Sequence, residues 1–68
     1  MRLATVANLI EEGVRRLDAA GVERARFESR LLLAKASGFG VEALIGRPEQ
    51  PVEEAAAERF RAWLARRA

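Results

Sequence analysis

Three consecutive leucines, Leu31-Leu32-Leu33, lie in the middle of Arg26-Phe27-Glu28-Ser29-Arg30-Leu31-Leu32-Leu33-Ala34-Lys35-Ala36-Ser37-Gly38. No other stretch limits the fold of this chain so strongly. On a helix each residue turns about 100° from the last, so the triplet spans roughly 200°. Phe27 and Ala34 lie close to Leu31, one turn to either side. A surface helix needs a single apolar stripe, whereas one apolar over more than half its girth must be covered on several sides. The segment is therefore expected to be a central helix with at least two of the three leucines fully buried. A buried strand is the competing reading of a short apolar run. Ala34, Lys35 and Ala36 continue the segment with good helix formers and no β-branched residue interrupts it, so helix is preferred. Gly38 stands where a left-handed cap usually ends a helix.

The flanking segments also read as helices. Thr5 can cap a helix over 5–20, with Val6, Leu9, Ile10, Gly13, Leu17 and Ala20 on one face, Val14 at its edge, and Asn8, Glu11, Glu12, Arg15 and Asp18 opposite. Gly13 falls in the middle of that apolar face. A mid-helix glycine costs about 1 kcal/mol against alanine, and its expected return is close approach to the central helix rather than to a ligand. Gly21 stops this helix. The central helix covers 25–37. After a tight Phe39-Gly40 turn, a short helix covers 41–46. Arg47-Pro48-Glu49-Gln50-Pro51 is a loop, because two prolines deny a helix its donors. A last helix covers 52–67, with Ala56, Ala57, Phe60, Trp63 and Leu64 inward. Glu53 and Glu54 near its start and arginines near its end suit the helix dipole. The expected fold class is all-α, a small four- to five-helix orthogonal bundle, with residues 1–68 forming a single helical domain.

Chemistry is scarce in the chain. It has no cysteine and no histidine, so disulfides, thiolate ligands, the commonest zinc ligand and the usual general base are all missing. Ser29 and Ser37 have no histidine to activate them, and Ser37 is placed to bond nearby backbone. Glu11, Glu12, Glu53, Glu54 and Glu58 read as solvated carboxylates. Gly38-Phe39-Gly40 lacks the strand and third glycine of a dinucleotide loop. Phe60 and Trp63 could stack on a ligand but share the inner face with Leu64. No catalytic, cofactor-binding or metal-binding residue is assigned, and the fragment itself is not expected to be an enzyme.

The net charge is only +2, and basic and acidic residues divide evenly between the two halves. A helix-turn-helix reading would make Val41-Glu42-Ala43-Leu44-Ile45 the recognition helix. It carries no arginine, asparagine or glutamine to read bases, and Glu42 would repel phosphate. Nucleic acid is not an expected partner, although Arg59, Arg61, Arg66 and Arg67 make the last ten residues locally basic. No apolar run approaches a membrane span and no signal peptide is evident. A monomeric, cytoplasmic chain is expected.

The central stretch, with its arginine, apolar residue, acid and small residue before the leucine run and Gly38, resembles the N-terminal domain of the PrmC/HemK family. These are the release factor glutamine methyltransferases. Thr5-Val6 through Leu17 and Ala20-Gly21-Val22 look like the family's first helix and turn. Val41 to Leu44 followed by Arg47 to Val52 look like its short helix and proline loop. Phe60, Leu64 and Arg66-Arg67 look like the helix that leads into its interdomain linker. Arg30 stands where an acid is usual, Lys35 where histidine is common and Ala25 where proline is common.

The resemblance implies a two-domain parent enzyme. Its catalytic domain, absent from this chain, binds S-adenosylmethionine and carries an Asn-Pro-Pro-Tyr motif. That domain methylates the glutamine of the release factor's Gly-Gly-Gln loop. The implied partners of this chain are a peptide chain release factor and its own methyltransferase domain, and the implied role is release factor recognition. A stand-alone helical interaction module, or one resembling a helix-turn-helix, is the alternative.

Overall fold

A computed structural model describes residues 3–68. Met1 and Arg2, which open the stretch read above for a signal peptide, lie outside it. Four helices follow in order: α1 (Val6–Ala19), α2 (Ala25–Ser37), α3 (Val41–Gly46) and α4 (Glu54–Arg67). Among the described residues there is no strand, and the class is all-α. The first three helices lie within a residue of their expected bounds. The fourth starts two residues late, because Val52 is not helical. It is buried instead, and its N–H donates to the Ala4 carbonyl at 2.8 Å.

The first turn of any helix leaves N–H groups without an internal partner. In α1 those groups are satisfied from two sources. Thr5 Oγ1 accepts from the Asn8 N–H at 3.2 Å. The proline loop supplies the rest: Val6 N–H donates to the Gln50 carbonyl at 3.0 Å and Ala7 N–H to the Pro48 carbonyl at 2.8 Å. Thr5 and Pro51 thereby form an isolated antiparallel bridge. The loop thus serves as a cap for a helix more than 40 residues earlier in the chain. At the other end of α1, Gly21 takes φ +82°. Gly21 N–H bonds the Asp18 carbonyl and Val22 N–H bonds the Leu17 carbonyl. This paired pattern is the Schellman termination, which a residue with a Cβ adopts only under strain.

Helix α2 touches all three of the others, as a central helix should. Its inner face is narrower and smaller than the leucine triplet suggests. Ala25, Ser29, Leu33 and Ala36 are the buried residues. Leu33 is fully buried, Leu32 is half-buried, and Leu31 is 39% exposed. The expectation of two fully buried leucines is therefore corrected to one. Phe27, grouped with Leu31 at the sequence level, is 48% exposed. The reason is geometric. Helices α1 and α4 both press on the Ala25–Ser29–Leu33–Ala36 side, and among the described residues the opposite arc is only partly covered.

Close approach on that inner side depends on Gly13, as the sequence suggested. A Cβ placed there would stand 2.2 Å from Ser29 Oγ, 3.1 Å from Ser29 Cβ and 3.0 Å from Phe60 Cζ. Ser29 is fully buried and donates its hydroxyl to the Ile10 carbonyl at 3.0 Å. Around this point Val6, Leu9, Leu17, Leu33, Phe60 and Leu64 form the centre of the core, with Val52 and Leu44 beneath the loop and α3.

The triplet's unequal burial is directly measurable. Leu33→Ala is expected to cost about 2–5 kcal/mol, which in a domain this small is a large part of the total stability. Leu31→Ala is expected to cost under about 1 kcal/mol. Denaturant melts of the two variants check the ordering.

Candidate functional site

The residues singled out for chemistry are mostly taken up by the fold. Ser37 Oγ donates to the Leu33 carbonyl at 2.7 Å and accepts from the Phe39 N–H at 3.1 Å, which closes the end of α2. Ser29 is spent on Ile10, as above. Phe60 is buried and Trp63 packs partly buried against the same core. Gly38-Phe39-Gly40 joins two helices. Among the described residues no group of three histidine, cysteine, aspartate or glutamate side chains is placed to hold a metal. None of the helices is long and apolar enough to cross a membrane.

The carboxylates behave differently from the solvated charges expected at Glu11 and Glu12. Three bidentate ion pairs join the three long helices, one for each pair of helices. Arg26 of α2 grips Glu11 of α1 at 2.6 and 3.3 Å. Arg61 of α4 grips Glu12 of α1 at 2.8 and 3.0 Å. Arg67 of α4 grips Glu28 of α2 at 2.7 and 3.0 Å. In each case the guanidinium's hydrogen bonds hold the carboxyl below the usual glutamate range, against a smaller opposing effect of desolvation. Arg59 caps α2 by donating to the Ala36 carbonyl at 2.8 Å. Of the four arginines in the basic C-terminal stretch, Arg59, Arg61 and Arg67 are thus exposed but bonded to the protein's own carbonyl or carboxylate groups. Glu53, Glu54 and Glu58 remain exposed.

Two shallow grooves open on the surface. One, of about 340 Å³, lies between the end of α2 and the start of α4, beside Phe39, Gln50, Glu53 and Arg59. The Gln50 side-chain oxygen is buried there without a hydrogen-bond partner. The other, of about 200 Å³, lies between Arg26 and Arg30 of α2 and Leu44 and Ile45 of α3. Large apolar side chains are exposed at Leu3, Phe27, Leu31, Val41 and Ile45. A surface of this kind can hold a partner protein. It brings together no nucleophile, base or metal set among the described residues. The helix-turn-helix reading gains nothing from α3, which presents no base-reading side chain.

The family model for the PrmC N-terminal domain matches residues 8–68. The chain belongs to the PrmC N-terminal domain family. Two curated members contain close counterparts. A release factor glutamine methyltransferase of Agrobacterium fabrum is 37% identical over 65 residues, which is 96% of this chain and 22% of that protein. A release factor glutamine methyltransferase of Moorella thermoacetica is 42% identical over 64 residues, which is 94% of this chain and 23% of that protein. The chain therefore spans less than a quarter of the length of these relatives. No solved structure matches it. For this member of the family, the matched region takes in all of α2, α3 and α4 and most of α1.

Sequence reasoning missed the ion pairs because their partners lie 15, 49 and 39 residues apart. The only available signal was an excess of arginine on faces that also carry glutamate. A pH titration of stability tests their role. A carboxyl whose folded value is depressed stabilises the fold fully above its unfolded value and loses that contribution as pH falls through the folded value. Urea melts are therefore expected to give constant stability from neutral pH to about pH 5, near the ordinary glutamate range, and a decline below it. The triple variant Glu11→Gln/Glu12→Gln/Glu28→Gln is expected to decline less steeply over the same acid range.

Proposed function

We propose that this chain is the release-factor-recognition domain of an S-adenosylmethionine-dependent protein glutamine methyltransferase, which acts on the Gly-Gly-Gln loop of peptide chain release factors. The observation that carries this reading is the family match over 8–68, in a chain that spans under a quarter of relatives named release factor glutamine methyltransferases. Methyl transfer belongs to the rest of the parent protein. The Gly38-Phe39-Gly40 turn links α2 to α3 rather than a strand to a helix, which supports placing the methyl donor in the rest of the parent protein. No step of the reaction is assigned to it.

Its contribution is to binding. A short exposed loop offers a catalytic domain only a small contact, whereas a specific protein complex usually buries more than about 1,000 Å². A helical domain that grips the release factor elsewhere supplies the second contact and raises the loop's effective concentration at the active site. The ion-paired bundle suits this task, because a preorganised surface loses little freedom on binding.

The test compares the parent enzyme with the same enzyme lacking residues 1–68. Removal is expected to lower kcat/KM on intact release factor by about tenfold or more, mainly through KM. Activity on a short Gly-Gly-Gln peptide and affinity for S-adenosylmethionine are expected to hold. Equal kcat/KM on the intact release factor would reduce the domain to a stabilising appendage.

A further inference from the structure

Helix α3 is held more lightly than the other three. Of its residues Leu44 alone is buried, while Val41 and Ile45 stand exposed. It packs chiefly on α2. Ala43 and Leu44 N–H groups bond the Gly40 carbonyl and Arg47 N–H bonds the Ala43 carbonyl, so these bonds stay within 40–47. Among the described residues no side-chain hydrogen bond or ion pair ties 40–46 to another helix. A helix this short is not stable in water alone. The seating of Leu44 is what keeps it formed.

The chain on either side of α3 is fixed more firmly. Before it, Phe39 N–H bonds Ser37 Oγ at 3.1 Å. After it, the Pro48 and Gln50 carbonyls hold the Ala7 and Val6 N–H groups, and Val52 is buried. Between these anchors stand two glycines. Gly40 occupies the N-cap of α3, a position where glycine is common. Gly46 has no such reason. Its φ is not left-handed, and a Cβ there would meet nothing within 4 Å. Alanine would fit and would favour the helix. What glycine contributes is freedom once the segment is released, since it gains more backbone entropy than any other residue. Helix α3 is also one wall of the groove of about 200 Å³, where Leu44 and Ile45 are joined by Ile10 of α1 and by Arg26 and Arg30 of α2.

We propose that α3 is a flap. It lifts off α2 as a unit while the proline loop stays bonded to α1, and Gly46 favours the lifted state. Lifting withdraws Leu44, widens the groove beside Arg26 and Arg30, and uncovers Ile10 at its floor. The device is independent of the recognition role proposed above.

The chain has no cysteine, so Leu44→Cys and Leu33→Cys each introduce a single thiol. Urea melts of each variant give the labelling rate that global unfolding alone would allow. Under native conditions Leu44→Cys is expected to react with a thiol reagent at least about tenfold faster than that rate, and with little dependence on low urea, as a local opening does. Leu33→Cys is expected to match its global rate. Adding Gly46→Ala to Leu44→Cys is expected to slow labelling by about threefold. Hydrogen exchange of the unsubstituted chain carries the test if a cysteine variant fails to fold. There the Leu44 and Arg47 amides are expected to be at least about tenfold less protected than the Ala7 amide, which the proline loop holds. Labelling at position 44 no faster than global unfolding allows would overturn the flap, as would equal protection of the Leu44 and Ala7 amides. Unchanged labelling with Gly46→Ala would overturn the part given to the glycine.

Discussion

At Gly13 three helices meet with no room for a methyl group. The backbone of α1 lies against Ser29 of α2, and the Phe60 ring of α4 closes the same point. Ser29 supplies the contact with both a small volume and a hydrogen bond, since its hydroxyl reaches the Ile10 carbonyl. A buried hydroxyl without such a partner would cost roughly 1–3 kcal/mol. The arrangement fixes how deeply α1 and α4 can settle on α2. It also fixes which side of α2 they choose. The small residues Ala25, Ser29 and Ala36 face inward with Leu33, and the bulk of Phe27 and Leu31 is left outside.

The rest of the structure is arranged around that contact. Each pair of long helices carries one bidentate arginine–glutamate clasp at its edge. Exposed pairs of this kind contribute little singly, and their bidentate geometry is what sets these three apart from ordinary surface contacts. The proline loop supplies the first turn of α1 with acceptors, and buries Val52 in the process. These devices turn Arg26, Arg59, Arg61 and Arg67 toward the protein's own carboxylates and carbonyls.

What the sequence reveals follows from the range of each interaction. Helix ends were legible because their signals are local: Thr5, Gly21 and Gly38 act within four residues. Gly13 was legible as a close approach because a glycine in the middle of an apolar face has few other uses. The start of α4 was not legible, since Val52 leaves the helix to bond Ala4 across the chain. The leucine triplet was over-read. Three apolar residues in a row state that a helix has a wide apolar surface, but not how many neighbours come to cover it. No local pattern distinguishes the uncovered part, Phe27 and Leu31, from core. The clasps were hidden for the same reason, since their partners are distant along the chain.

A double-mutant cycle between Gly13→Ala and Ser29→Ala reads the central contact most directly. Helix propensity alone would make Gly13→Ala stabilising by about 1 kcal/mol. The short distances to Ser29 and Phe60 oppose this, and overpacking of a tight core typically costs about 1–3 kcal/mol. Urea melts are therefore expected to show Gly13→Ala destabilising in the wild-type background and less so once the Ser29 hydroxyl is gone, with a coupling of about 1 kcal/mol or more. A stabilising Gly13→Ala in the wild-type background, or effects that add within about 0.3 kcal/mol, would contradict the account.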